Sequence, residues 1–99
     1  MNCLSWNVWG MGNTRTFNAL HRYVQQHGLG LIFLMETKMS DVQMDRVRFK
    51  LGFAAGFWVS RRGLSGGLAL MWKAGIDVQV KSFSSSHIDS IVMDSFGSR

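Results

Sequence analysis

The sequence predicts an α/β fold whose elements follow the order β-α-β-α-β-β-β-β. Residues Asn2 to Val8 alternate between large apolar side chains and smaller or polar ones, which is the period of a strand. From Thr14 onward, apolar residues recur at helical spacing. Leu29 to Glu36 then form a short, nearly continuous apolar run, typical of a strand covered on both faces. A strand, a helix and a strand in succession imply two parallel strands joined by a right-handed crossover.

Both predicted helices have sequence signals at their ends. The first follows the break made by Gly10, Gly12 and Asn13, and Gly28 is a good stop for it. Its apolar side is formed by Phe17, Leu20 and Val24. Ser40 and Gln43 form the capping box S-x-x-Q at the start of the second helix, and Gly52 closes it. The apolar side of the second helix is formed by Met44, Val47 and Leu51.

The second half of the chain contains only strand patterns. The four predicted strands are Gly56–Ser60, Gly67–Lys73, Asp77–Phe83 and His87–Asp94. The loop RRGLSGG and the polar turn Ser84 to Ser86 are short, so these strands should pair antiparallel. The prediction is therefore a mixed sheet with helices on one face. The other face has no obvious cover in the chain, which predicts self-association or a partner at that face.

Composition limits the possible classes of protein. The 99 residues allow at most one domain, and the 46% hydrophobic content is globular. The formal net charge of +5 favours polyanions such as nucleic acid. The basic residues are scattered except for Arg46, Arg48 and Lys50, which a solvated helix face would explain equally well.

Several functional classes are disfavoured. Cys3 is the single cysteine, so an internal disulfide and a cysteine-rich zinc site are excluded. The three histidines lack metal-ligand spacing, and the N-terminus lacks the features of a signal peptide. The apolar run Leu29 to Met35 is far too short to span a bilayer. An intracellular protein without a membrane partner is therefore expected.

Asn7 and Glu36 are the candidate site residues. Each lies at the carboxyl end of one of the two predicted parallel strands, where ligands bind in open α/β sheets. Mg²⁺ takes oxygen ligands, keeps several waters and is often held by one or two carboxylates together with substrate phosphate. The alternative is that Asn7 caps the following turn and Glu36 ends its strand in solvent.

Four ordered blocks carry a resemblance to a known family. LSWNVWGMGN, LIFLMETK, SGGLALMWK and HIDSIV resemble the opening of the endonuclease/exonuclease/phosphatase family. Its members include apurinic/apyrimidinic endonucleases and pancreatic deoxyribonuclease. The sequence is similar in particular to the nuclease domain of plant non-LTR (LINE-type) retrotransposons.

The resemblance implies a fold, a reaction and site residues. It implies that residues 1–99 form about half of a four-layered α/β sandwich of the DNase I type, ending before the C-terminal catalytic motifs. The implied activity is Mg²⁺-dependent phosphodiester hydrolysis of DNA, with a nuclear location. Glu36 would be a divalent-metal ligand, and Asn7 would help to position the metal and the attacked phosphate.

The sequence also departs from the family pattern. Trp9 stands where the family has a basic residue, and either stacks on a base or reflects decay of a mobile-element copy. The family's later Tyr, Asp-x-Asn and Asp-His motifs fall beyond Arg99. Tyr23 lies in the first helix and cannot replace the family's Tyr, and His87 is expected to be a turn residue.

These departures leave three hypotheses. The first is a retrotransposon-derived nuclease fragment that is inactive alone. The second is a non-catalytic module that binds nucleic acid or protein, and the third is a decayed gene remnant without function.

The glycines of Ser65-Gly66-Gly67 are expected to serve a tight turn and close packing rather than phosphate binding.

Overall fold

The computed structural model describes residues 2–8, 10, 12–60, 66–84 and 87–94. The predicted α/β class and element order are confirmed, and each predicted strand end lies within one residue of the observed one. The elements are β1 (Asn2–Asn7), α1 (Thr14–His27), β2 (Leu29–Met35), α2 (Asp41–Leu51), β3 (Ala55–Val59), β4 (Leu68–Trp72), β5 (Ile76–Phe83) and β6 (Ile88–Asp94). Most of the predicted RRGLSGG loop and Trp9 lie outside the described residues.

The strands form a four-stranded mixed sheet and a separate hairpin. In the main sheet the order is β1-β2-β4-β3, with β1 and β2 parallel and β4 antiparallel to both β2 and β3. Among the described residues, β5 and β6 pair only with each other. The crossover through α1 therefore brings the carboxyl ends of β1 and β2 to the same edge of the main sheet.

The helix ends follow the sequence signals. The side chain of Asn13 accepts a hydrogen bond of 2.8 Å from the amide of Arg15 at the start of α1, so the residue that breaks β1 also caps the helix. Ser40 and Gln43 make the predicted reciprocal capping box at the start of α2. Gly28 and Gly52 end the two helices at φ 55° and 85°, values that glycine adopts without steric cost.

One core fills the space between the helices and the main sheet. Alternation places every second strand residue on this face, where it meets the apolar stripe of each helix. The fully buried members of this core include Leu20, Val24, Ile32, Leu34, Met44, Ala69 and Met71. Because α1 and α2 both follow strands of the parallel pair, this core also fixes where the two strands end.

The opposite face of the main sheet is more covered than the sequence predicted. The expectation of a bare face is wrong at its centre, because Leu31, Leu68 and Leu70 are buried. The rings of Phe57 on β3 and Phe83 on β5 lie 5.0 Å apart, so the hairpin contacts this face. The hairpin keeps exposed apolar side chains of its own, and a partner for this part of the protein stays a prediction.

The helices of the described chain are short. Neither α1, with 14 residues, nor α2, with 11, has the length and apolar character needed to cross a membrane.

Truncation of Met44 tests how much the core between the helices and the main sheet contributes to stability. Met44→Ala removes a fully buried side chain and is expected to lower the free energy of unfolding by about 2–5 kcal/mol. Val42→Ala, two residues earlier on the same helix, removes a side chain that is 66% exposed and should change it by less than about 0.5 kcal/mol. Urea unfolding followed by circular dichroism measures both. Equal losses would contradict the described packing of α2.

Candidate functional site

The two candidate residues lie side by side at the carboxyl edge of the parallel pair. Asn7 ends β1 opposite Met35, and Glu36 is the next residue after β2. Neighbouring strands are about 4.8 Å apart, so the two backbones are close. The amide of Val8 donates a 3.0 Å hydrogen bond to the carbonyl of Met35, which continues the pairing past the end of β1. Both Asn7 and Glu36 are half-buried.

The chain turns sharply at Glu36. Glu36 and Lys38 both have φ 56°, a left-handed conformation that costs a non-glycine residue about 1–2 kcal/mol. Such backbone strain persists where the surrounding structure constrains it, and it concentrates at functional sites. We call residues 36–38 the left-handed turn.

Backbone hydrogen bonds from two directions hold the left-handed turn. The amide of Gly10 donates to the Glu36 carbonyl at 2.7 Å. On the other side, the Thr37 amide donates to the Gly67 carbonyl at 3.1 Å and the Lys38 amide donates to the Gly66 carbonyl at 2.9 Å. The turn is therefore tied to the β1–α1 connection and to the residues just before β4. Its conformation depends on both neighbours of β2.

Gly67 packs directly against Thr37. Thr37 is completely buried, and a Cβ added to Gly67 would overlap its Oγ1 and approach the amide of Lys38 to 3.1 Å. Gly67 also has φ 98°, which L side chains rarely adopt. The close packing predicted for the glycines of the Ser65-Gly66-Gly67 block is thus confirmed for Gly67. The site needs glycine there for both space and backbone conformation.

Lys38 adds a positive charge beside the edge. Its Cδ lies 3.6 Å from the position that a Cβ would take on Gly10, so the side chain runs along the β1–α1 connection. The residue is exposed. No sequence signal singled out Thr37 or Lys38, because left-handed non-glycine residues and the packing of β4 on β2 are tertiary features.

The donor set fits a loosely held hard cation. A carboxylate from Glu36 and an amide oxygen from Asn7 match the oxygen ligands of Mg²⁺, which commonly keeps waters and substrate phosphate as its other ligands. The Oγ1 of Thr37 is enclosed without a hydrogen-bond partner among the described residues, so it does not belong to an open ligand set. Within the described ranges, no cluster of three or more His, Cys, Asp or Glu side chains is suited to a metal.

Other titratable residues lie on other elements of the fold. His87 closes the β5–β6 turn: its Nδ1 lies 2.8 Å from the Oγ of Ser84, and its carbonyl accepts from the Ser84 amide at 2.9 Å. The prediction that His87 is a turn residue is confirmed. Tyr23 is in α1, with its ring 4.2 Å from that of His27. Asp89 is exposed on β6.

The acidic residues of α2 are also engaged away from the edge. Asp41 lies in the first turn of the helix, where its charge interacts favourably with the helix dipole, and contacts the hydroxyl of Ser60. Asp45 makes a 3.1 Å ion pair with Arg48. The structure therefore brings together Asn7 and Glu36, with Lys38 beside them, and leaves these carboxylates elsewhere.

The family follows from sequence comparison. Residues 4–97 match the model of the Endonuclease/Exonuclease/phosphatase family, a range that contains Asn7, Glu36 and Gly67. The chain therefore belongs to that family, and it forms a nuclease/phosphatase-like domain with a fold consistent with part of a DNase I-like sandwich. The family usually uses divalent metals. No curated protein matches the chain at a significant level.

A methyl group at Gly67 should disrupt the left-handed turn. Gly67→Ala is expected to lower the free energy of unfolding by about 1–3 kcal/mol, because it strains the backbone and overlaps Thr37. Gly12→Ala is the control: a Cβ there meets nothing within 4 Å, so stability should stay unchanged or rise by up to about 1 kcal/mol. Chemical denaturation measures both. A Gly67→Ala protein as stable as the Gly12→Ala control would contradict the packing of this turn.

The buried hydroxyl of Thr37 should be dispensable for stability. Thr37→Val keeps the shape of the side chain and removes a buried polar atom without a partner among the described residues, so we expect a gain of about 1 kcal/mol. Thr37→Ser keeps the hydroxyl and loses the methyl group, so it should be less stable than the wild type. Thermal denaturation compares the three proteins. A destabilised Thr37→Val protein would mean that the hydroxyl has a partner.

Proposed function

We propose that this chain carries the metal-binding part of a phosphodiesterase site and that the chemistry of the site is Mg²⁺-dependent hydrolysis of DNA. The observation that supports this most is the meeting of Asn7 and Glu36 at one sheet edge, with Glu36 held in a constrained left-handed turn. A strained backbone conformation around a candidate ligand favours a binding role over a strand that merely ends in solvent.

Each residue at the edge has a proposed role in that chemistry. A bound divalent cation would polarise a phosphoryl oxygen and neutralise developing charge. The Glu36 carboxylate provides negative charge for such a cation, and the Asn7 amide offers one oxygen acceptor and two N–H donors to a metal or a phosphate. The exposed ammonium group of Lys38 attracts the anionic backbone of the substrate to the same edge.

We further propose that the chain alone cleaves slowly. Hydrolysis needs a group that removes a proton from water, and among the described residues the late histidine, His87, is occupied in the β5–β6 turn. Glu36 and Asn7 would hold the cation without supplying that base. Residues other than those described would have to complete the site.

The origin of the domain is a separate proposal. The four sequence blocks support descent from a LINE-type retrotransposon nuclease of plants. Cleavage of chromosomal DNA by such a nuclease implies a nuclear location. A second candidate function is a non-catalytic nucleic-acid-binding module. The net charge of +5 favours this function, as does a candidate metal site with only two protein ligands, Asn7 and Glu36.

Metal binding should depend on Glu36. Mn²⁺ is the probe, because it prefers oxygen ligands as Mg²⁺ does and its free concentration is visible by electron paramagnetic resonance. Glu36→Gln should abolish measurable binding, since it removes the negative charge and keeps the size of the side chain. The control is Asp89→Asn, which removes an exposed carboxylate on β6 and should bind like the wild type. Equal affinity of Glu36→Gln and the wild type would refute the site.

Activity is tested by nicking of supercoiled plasmid with Mg²⁺ by the folded wild-type chain and by Glu36→Gln. Little or no nicking by a chain that binds Mn²⁺ through Glu36 is the expected result. Rapid nicking that Glu36→Gln abolishes would show that the 99 residues suffice and that slow cleavage was the wrong proposal. Nicking that survives Glu36→Gln would exclude this edge as the source of the activity.

A further inference from the structure

A basic groove runs between the two helices on the outer side of the protein. Its volume is about 490 Å³, and its wall includes Phe17, Gln43, Arg46 and Lys50. A neighbouring depression of about 400 Å³ on α1 shares Thr14 and Asn18 with it and adds Arg15 and Arg22. We call the two together the α1–α2 groove. It lies on the helical layer, so it is distinct from the edge with Asn7 and Glu36.

The charge of the α1–α2 groove is one-sided. Four cationic side chains line it, and no Asp or Glu lies among its lining residues. The acids of α2 have other partners: Asp45 pairs with Arg48, which also donates to the carbonyl of Phe53 at 2.8 Å, and Asp41 contacts Ser60. The positive charge of the groove is therefore not balanced by the acidic residues of its own helix.

The cations of the groove are available to a ligand. Across the described residues, Arg15, Arg22 and Arg46 make no side-chain hydrogen bond or ion pair, whereas Arg48 makes both. The Nζ of Lys50 lies 6.0 Å from the centre of the Phe17 ring, a weak contact that leaves its hydrogen-bond donors unused. Arg46 and Lys50 are one helical turn apart, and so face the same way.

One end of the groove is lined by residues that follow the two strands of the candidate metal site. Thr14 begins α1 just after the connection from Asn7, and Met39, which lines the groove, lies three residues after Glu36. A polymer bound at the edge could therefore extend to the groove. Repeated charges along two helices suit a chain of phosphates better than a single small anion.

We propose that the α1–α2 groove binds the phosphate backbone of a nucleic acid and holds it beside the edge with Asn7 and Glu36. The choice of nucleic acid as partner rests on the proposed function, whereas the groove itself needs neither metal nor cleavage. Its contacts go to phosphates, so binding should be independent of base sequence and strongly dependent on salt. Thr14, Asn18 and Gln43 add neutral donors between the cations.

The test measures binding of a fluorescent DNA duplex by anisotropy over a series of salt concentrations, without divalent metal. The groove variant is Arg46→Gln with Lys50→Gln, both exposed on a helix that tolerates glutamine. The matched control is Lys73→Gln with Lys81→Gln, which removes the same charge from residues beyond β4 and on β5. Circular dichroism and thermal denaturation verify that both proteins remain folded.

The groove variant should bind more weakly and lower the slope of log affinity against log salt by about 1.8, since each phosphate contact contributes about 0.9. The control should keep the wild-type slope. Equal slopes for both variants would overturn the proposal that DNA binds in the α1–α2 groove, because the affinity would then depend only on the overall charge of the protein. Equally tight binding of poly-glutamate would overturn nucleic acid as the partner in favour of an acidic protein segment.

The two proposals fail separately. Glu36→Gln should lose Mn²⁺ binding and keep the salt-dependent binding of DNA, because Glu36 does not line the groove. The groove variant should keep Mn²⁺ binding. Loss of metal binding in the groove variant, in a protein shown to be folded, would contradict the separation of the two surfaces.

Discussion

The contact between Gly67 and Thr37 is the constraint on which the candidate site depends. It joins the residues that precede β4 to the turn that follows β2, and it leaves no room for a side chain at Gly67. Two left-handed residues cost about 1–2 kcal/mol each, and three backbone hydrogen bonds return about 1 kcal/mol each, so the terms are of similar size. The backbone conformation of Glu36 is thus set by the β1–α1 connection and by the residues before β4 rather than by its own local preference.

The core, the parallel strand pair and the helices each support the contact between Gly67 and Thr37. The core between helices and sheet fixes the parallel pair, and the parallel pair brings Asn7 beside the turn that carries Glu36. The helices that complete this core also present cations on their outer surface. The acids of α2 do not neutralise them, because Asp45 is paired with Arg48 and Asp41 contacts Ser60. The edge with its oxygen ligands lies where β1 and β2 end, and the basic surface lies on the helices that follow these two strands, a combination suited to an anionic polymer.

Much of the fold could be predicted from the sequence because its signals are local. Strand alternation, the capping box at Ser40 and the stops at Gly28 and Gly52 each depend on a few adjacent residues, and all match the structure. The candidate pair Asn7 and Glu36 followed from the crossover rule, which depends on topology alone. The left-handed turn, the cover that Phe83 gives to the second face and the groove beside Arg46 depend on residues far apart in the chain. No local pattern encodes them.

The pairing of Thr37 with Gly67 also has a kinetic consequence. The two residues are thirty positions apart, so the turn at Glu36 cannot take its final shape until β4 has docked on β2. Contacts at such separation form late, because the intervening loop must first be closed. A cation that binds only this shape would bind the folded chain and not the nascent or unfolded one. Metal occupancy would then report completion of the sheet and raise its free energy of unfolding.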